Sequence, residues 1–145
     1  MNNLRNLYEA LKDFGERHEM VNEVILVKSE DELESYEFNY RSMIIMPLDA
    51  NISRESNSPA YYIDFGIVLL DKIPAENDEA HINSMDENIF VIGQLQDHLM
   101  QSDYDVEFGS VDLNVDNLSD YNITSAIADF SFTLARKPHT RTINF

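Results

Sequence analysis

The sequence predicts an α+β domain, with a mixed, mainly antiparallel sheet of about five strands and two helices packed on one face. Apolar residues repeat at helical spacing in two segments and alternate with polar residues in several others. Strands follow one another along most of the chain, which favours antiparallel pairing. The 145 residues suffice for one core, so we expect a single domain over residues 1–135 and an extended basic C-terminal arm over residues 136–145.

Two amphipathic segments predict the helices. The first runs from about Asn3 to about His18, with apolar residues at three- and four-residue spacing and an asparagine available as N-cap. The second is expected to begin at Ser84, which precedes Glu87 by three residues as in a capping box, and to end near Gln101. Its predicted buried stripe consists of Ile89, Ile92, Leu95 and Leu99.

Five segments rich in β-branched and apolar residues predict the strands, at residues 23–28, 40–48, 60–73, 104–115 and 123–136. Pro47 is expected to end the second strand, because proline cannot donate a hydrogen bond to a ladder. A bulge near Gly109 is expected to shift the phase of the fourth strand. The predicted core-facing residues are Tyr61, Ile63, Phe65, Ile67, Leu69, Tyr104, Val106, Phe108, Val111, Leu113, Val115, Ala126, Ala128, Phe130, Phe132 and Leu134.

Two polar segments between the predicted strands are expected to be exposed. Residues 29–35 (SEDELES) show no apolar period, which indicates a solvated connection. Residues 49–60 (DANISRESNSPA) are longer than a tight hairpin needs, and loops of this length are often ordered by a partner. We predict an interaction loop here, with Asn51, Arg54 and Asn57 as its candidate contact residues.

The charge is strongly negative and unevenly distributed. With 27 acidic and 10 basic residues, the formal net charge is −17, which disfavours sequence-specific nucleic-acid binding. Residues 136–145 contain three of the basic residues and no acid, so they carry +3 and residues 1–135 carry −20. The arm therefore complements the acidic body, and we expect it to clamp its own subunit or a neighbour. Its candidate contact residues are Arg136, Lys137, Arg141, Ile143 and Phe145.

The sequence contains none of the patterns that usually carry catalysis. It has no cysteine, its four glycines are scattered, and its four histidines show no paired ligand spacing. The acidic residues match no calcium-binding loop. We therefore predict no catalytic residue, cofactor or metal site and no enzymatic activity. No apolar run is long enough to span a membrane, and the N-terminus does not resemble a secretory signal, so we expect cytoplasmic synthesis and no membrane association.

The order of the segments resembles the small head-tail connector and tail-terminator proteins of tailed bacteriophages, including those of short-tailed crAss-like phages. The matching segments are LRNLYEALKDFGERH before EVILV, the strand pair YRSMIIMPL and YYIDFGIVLL, and MDENIFVIGQLQDHLM before FGSVDLNV and ADFSFTLAR. The resemblance implies a virion protein that forms a ring of about 6 or 12 copies. Such a ring would contact neighbouring ring, portal or tail proteins, and DNA would pass through its acidic lumen.

Three other classes stay open. A DNA-mimicking inhibitor would use its acids to occupy a host nucleic-acid enzyme and would act as a monomer or dimer. A non-viral oligomeric scaffold or adaptor would share the ring protein's need for an apolar contact surface. An enzyme with a carboxylate-bound metal is the third class, although no ligand pattern favours it. The alternating apolar residues and the basic arm favour the ring.

Overall fold

The structure is a computed structural model that describes residues 4–27, 36–52, 60–102, 105–118 and 120–135. Two helices and five strands follow one another as α1 (Leu4–Arg17), β1 (Glu23–Leu26), β2 (Ser42–Ile52), β3 (Ala60–Pro74), α2 (Asp78–Met100), β4 (Asp105–Asn117) and β5 (Tyr121–Ala135). The predicted α+β class and the order of elements are confirmed.

The strands form one mixed sheet in the order β1-β2-β3-β5-β4. β1 pairs parallel with β2, and the other neighbours pair antiparallel. β3 and β5 pair along their whole length, from Ala60 opposite Ala135 to Pro74 opposite Tyr121. The two long central strands therefore form a platform at the middle of the sheet.

Both helices pack on the same face of the sheet, as predicted: α1 lies over β1 and β2, and α2 lies over β3 and β5. Leu7 and Leu11 of α1 and Leu95 of α2 join one buried cluster with the alternate residues of β3 and β5. Phe65 and Phe132 meet edge to face there, with ring centroids 5.6 Å apart. The predicted core residues Ile63, Phe65, Ile67, Leu69, Ala126, Ala128, Phe130 and Phe132 are all buried, while the side chains of Tyr61, Tyr104 and Leu134 lie outside the described part.

The predicted start of α2 is wrong. The helix begins at Asp78, because Asn77 is its N-cap and accepts a hydrogen bond from the Ala80 N–H at 3.0 Å. Ser84 and Glu87 lie within the helix and bond to residues of the sheet. The prediction for Ile89 is also wrong, because 46% of this residue is exposed, whereas Ile92, Leu95 and Leu99 are buried as predicted.

The prediction that Pro47 ends β2 is wrong. The strand continues to Ile52, and the pairing with β3 shifts between Pro47 and Asp49. Such an irregularity accommodates a residue that lacks a backbone N–H. Asn51 is consequently a strand residue opposite Tyr62 rather than a loop residue, and Arg54 and Asn57 lie outside the described residues.

The opposite face of the sheet carries a second, smaller apolar cluster, which the sequence analysis missed. Val27, Ile44 and Val68 are buried there. Phe38 packs against this cluster and also stacks between Tyr36 and Tyr40, with centroids 5.1 and 5.9 Å away. Residues 36–40 thus cover part of the face opposite the helices.

Two helical glycines provide a matched test of the close packing between α1 and the sheet. A Cβ at Gly15 would overlap Val24 Cγ2 and lie 2.9 Å from Met43 Sδ, whereas a Cβ at Gly93 would meet nothing within 4 Å. We expect Gly93→Ala to raise the free energy of unfolding by about 0.5–1 kcal/mol, because alanine favours helix. Gly15→Ala should lower it by about 1–3 kcal/mol through overpacking. Urea unfolding followed by circular dichroism measures both, and equal stabilisation by the two variants would contradict the close approach at Gly15.

Candidate functional site

β4 is a long edge strand whose apolar residues are incompletely covered. It has 13 residues and pairs only with β5 among the described strands. The predicted bulge is confirmed by a register shift between Phe108 and Val111. Beyond it, Val111, Leu113 and Val115 lie opposite the buried residues Ala128, Ala126 and Thr124, which places them on the helix-bearing face of the sheet.

The prediction that these three β4 residues are buried is nevertheless wrong. Their exposed fractions are 36%, 40% and 37%. The reason is that α2 packs mainly over β3 and β5 and leaves the edge strand partly uncovered. Val106 and Phe108, before the bulge, do pack against the core.

The flank of α2 that faces β4 is also apolar and exposed. The other flank of α2 faces α1. Gln94 Oε1 and His18 Nε2 are hydrogen-bonded at 2.5 Å, and the ring centroids of His98 and Phe14 are 5.6 Å apart. At 100° per residue, Ile82 and Ile89 lie on the side away from those contacts. They are 67% and 46% exposed.

The exposed apolar residues of α2 and those of β4 lie at the same level along the sheet. Asn122 Nδ2 donates to His81 Nε2 at 2.7 Å, which ties the first turn of α2 to the start of β5. Asn122 also pairs with Asn117, at the end of β4. From this placement we infer a shallow apolar groove between the two elements, which we call the α2–β4 surface and which consists of Ile82, Ile89, Val111, Leu113 and Val115.

The surroundings of the α2–β4 surface are acidic. Neither α2 nor β4 contains a lysine or arginine. Asp86 is exposed on α2, and the other face of β4 carries four exposed acids, Asp105, Glu107, Asp112 and Asp116. The β4 edge is therefore apolar on one face and acidic on the other, which favours a partner with apolar side chains on one face and basic side chains on the other.

A buried polar network holds α2 in place over the sheet. Arg41 at the start of β2, whose side chain is 7% exposed, donates to Asp71 at 2.9 Å, to Glu87 at 2.6 Å and to the Asn88 Oδ1 at 2.7 Å. Ser84 Oγ donates to Asp71 at 2.6 Å and lies 2.5 Å from Thr124 Oγ1. These bonds join β2, β3, α2 and β5.

The network has the features of a structural element rather than a reactive one. Ser84 is 3% exposed, so its hydroxyl is not accessible to a substrate, and it already donates to Asp71. Within the described residues, every buried side-chain N or O atom has a hydrogen-bond partner. A fully satisfied network of this kind fixes the position of a helix, because a shifted helix would leave buried polar groups unpaired.

Two tyrosines on the other side of the sheet have raised pKa values. Tyr36 donates to Glu23, and this hydrogen bond is the main cause of the raised pKa of its phenol. Burial raises the pKa of Tyr40, and the nearby Tyr121 adds to the effect. Both phenols stay neutral to a higher pH than in the unfolded chain, so their contribution to stability is present below pH 10.0 and is lost above it.

The candidate residues predicted from the sequence are not brought together by the described structure. Arg136, Lys137, Arg141, Ile143 and Phe145 all lie outside the described residues, as do Arg54 and Asn57. No cluster of three or more His, Asp or Glu side chains suited to a metal occurs in the part of the chain that is described. Neither of the two described helices combines the length and apolarity needed to cross a membrane.

Comparison with known proteins adds no assignment to this geometry. No protein-family model matches the chain, and a search of curated proteins finds no significant match. The α2–β4 surface and the charge distribution are therefore the features of the described structure that bear on function.

Proposed function

We propose that this chain is a structural protein that assembles into a homo-oligomeric ring through the α2–β4 surface. The observation that carries the proposal is the coincidence of a long edge strand with two rows of exposed apolar residues. Isolated exposed apolar residues are ordinary, but a contiguous group beside an unpaired strand edge is a site of association. A contact between this surface and a different surface of the next copy is heterologous, and repeated heterologous contacts form a ring when the rotation between neighbouring copies closes.

The specific assembly that we propose is a ring of about 6 or 12 copies in the virion of a tailed phage, at the head-tail connector or in the tail. This part of the proposal is supported by the architectural resemblance and by the charge. A net charge of −17 per copy would give the ring a negative lumen, through which DNA can slide because like charges repel. Neighbouring ring, portal or tail proteins would contact the ring above and below.

The charges on β4 favour a second candidate, a DNA-mimicking inhibitor of a nucleic-acid enzyme. Asp105 and Glu107, and likewise Asp112 and Asp116, project from one face of the strand and are exposed. Asp105 and Glu107 are two residues apart and separated by roughly 7 Å, and Asp112 and Asp116 are four residues apart and separated by roughly 14 Å, so these acids form a row of negative charges. The mimic would work as a monomer or dimer and would inhibit a nuclease in a titration. The ring protein would form a larger assembly and would not inhibit the nuclease.

A pair of adjacent β4 substitutions tests the proposed interface. We expect Leu113→Lys to abolish self-association, because it places a charge in the apolar groove. Asn114→Lys introduces the same charge on the opposite face of the same strand and should leave association unchanged. Sedimentation velocity over a range of concentrations measures the effect, with circular dichroism as the check on folding.

Two results would contradict the interface. The first is equal assembly by the wild type and Leu113→Lys. The second is equal loss in both variants, since that would indicate a general effect of charge on β4 rather than burial of the groove.

A further inference from the structure

We propose that the α2–β4 surface is the acceptor for the C-terminal arm, residues 136–145, of a neighbouring copy. This inference rests on the proposed self-association and specifies the two segments that make contact between copies. In the complex, the arm of one subunit would extend along the free edge of β4 in the next, with its apolar end in the groove beside α2. Addition of an extended segment to a sheet edge is a common mode of peptide recognition.

Charge is the first argument for this occupant. The arm carries +3, whereas α2 and β4 carry no basic residue and present several exposed acids. Four basic side chains elsewhere in the described structure already have partners within the subunit: Lys12 with Glu16, Arg17 with Asp13, Arg41 in the buried network and Lys72 over the Tyr121 ring. The arm adds three further positive charges to the chain.

The pattern of side chains in the arm is the second argument. In an extended segment, alternate residues point to the same face, so Arg141, Ile143 and Phe145 would share one face. With that face towards the helices, Ile143 and Phe145 would reach the groove formed by Ile89, Val111 and Leu113. Arg136, which has the opposite parity, would face the acids on the other side of β4.

The length of the arm also fits. Ten extended residues span roughly 33 Å, and the 13 residues of β4 span roughly 44 Å. The arm therefore fits along the edge with room for a connection. Pro138 lies near its start, where the loss of one backbone donor at the beginning of an added strand is tolerated.

Geometry favours the arm of a neighbour over the subunit's own arm. The described part of β5 ends at Ala135, close to where β4 begins, since Thr133 lies opposite Asp105. To reach the outer edge of β4, a subunit's own arm would have to reverse direction directly after β5. A neighbour's arm can approach the edge without that reversal.

A mixing experiment separates these arrangements. The first variant lacks residues 136–145 and keeps the groove; the second carries Leu113→Lys and keeps the arm. We expect each to sediment as a monomer alone, and an equimolar mixture to form a 1:1 dimer, because only one arm and one groove then remain. As a control, a double variant with both changes should form no dimer with the variant that lacks residues 136–145, because neither partner then has an arm.

A peptide of residues 136–145 provides an independent measurement. It should bind the variant that lacks the arm, measured by fluorescence anisotropy, and lose affinity at high salt. A peptide with Phe145→Ala should lose most of its binding. Leu113→Lys in the acceptor should abolish the binding, while Asn114→Lys should preserve it.

Each failure has a distinct meaning. If the variant without residues 136–145 assembles like the wild type, the arm is not the occupant and the proposed ring still stands. If the two variants are monomeric alone and also when mixed, transfer of the arm between copies is wrong. If the wild-type chain itself stays monomeric at every concentration, the proposed function fails together with this inference.

Discussion

We expect Arg41→Leu to lower the free energy of unfolding by about 3–5 kcal/mol, the usual cost of removing one partner of a buried ion pair. The Arg41 side chain is 7% exposed and Asp71 is 19% exposed, so the unpaired Asp71 carboxylate would lose a partner that water replaces poorly. The Asn88 Oδ1 would also lose its donor. Glu87 is 45% exposed, so water can replace that contact and it adds little.

The matched control for this substitution is Arg17→Leu. Arg17 pairs with Asp13 on α1, but the two side chains are 81% and 53% exposed. Exposed pairs of this spacing contribute about 0.3–0.5 kcal/mol, so the control should change stability little. Urea unfolding measures both variants. A loss from Arg41→Leu as small as that from Arg17→Leu would show that the network does not hold α2 on the sheet.

Phe130→Ala should have an effect of similar size, about 3–5 kcal/mol, because it leaves a cavity at the centre of the sheet. Phe130 is 1% exposed, and its ring packs edge to face on Phe108 with the centroids 5.4 Å apart. Loss of this ring removes core packing and also the support for the part of β4 that precedes the bulge.

Phe90→Ala makes the same chemical change on the surface of α2. Phe90 is 50% exposed, so we expect a change within about 0.5 kcal/mol. Thermal unfolding of both variants, compared with the wild type at one protein concentration, measures the difference. Comparable losses at the two positions would mean that the aromatic cluster is not the main packing centre.

Local sequence patterns sufficed for most of the fold. α1 is predicted to within one residue at each end because its apolar residues share one stripe. The platform of β3 and β5 is predicted because alternate residues pack on one core. A pattern of this kind indicates burial against a single large surface. Both α1 and the β3–β5 platform are buried in this way.

The errors arise where a distant contact outweighs a local signal. Ser84 and Glu87 match a capping box, but Asp71 and Arg41 bind them within a helix that Asn77 caps earlier. Pro47 is tolerated because the register with β3 shifts beside it. Neither the network nor the register can be derived from neighbouring residues alone.

The α2–β4 surface had only a weak sequence signal. Val111, Leu113 and Val115 alternate as core residues do, and periodicity cannot show that no helix covers the edge strand. The extra apolar residues Ile82 and Ile89 on α2 were a usable sign, since one buried stripe does not require them. The strand order, which places β4 at the edge, depends on pairing between distant segments.

Self-association can be tested by the native mass of the wild-type protein, measured by light scattering after size exclusion at low and high salt. We expect a discrete mass at a multiple of the 16.8 kDa chain, near six or twelve copies, with weaker assembly at high salt because exposed charge pairs are screened. A mass of one chain at all concentrations and salt conditions would contradict assembly through the α2–β4 surface.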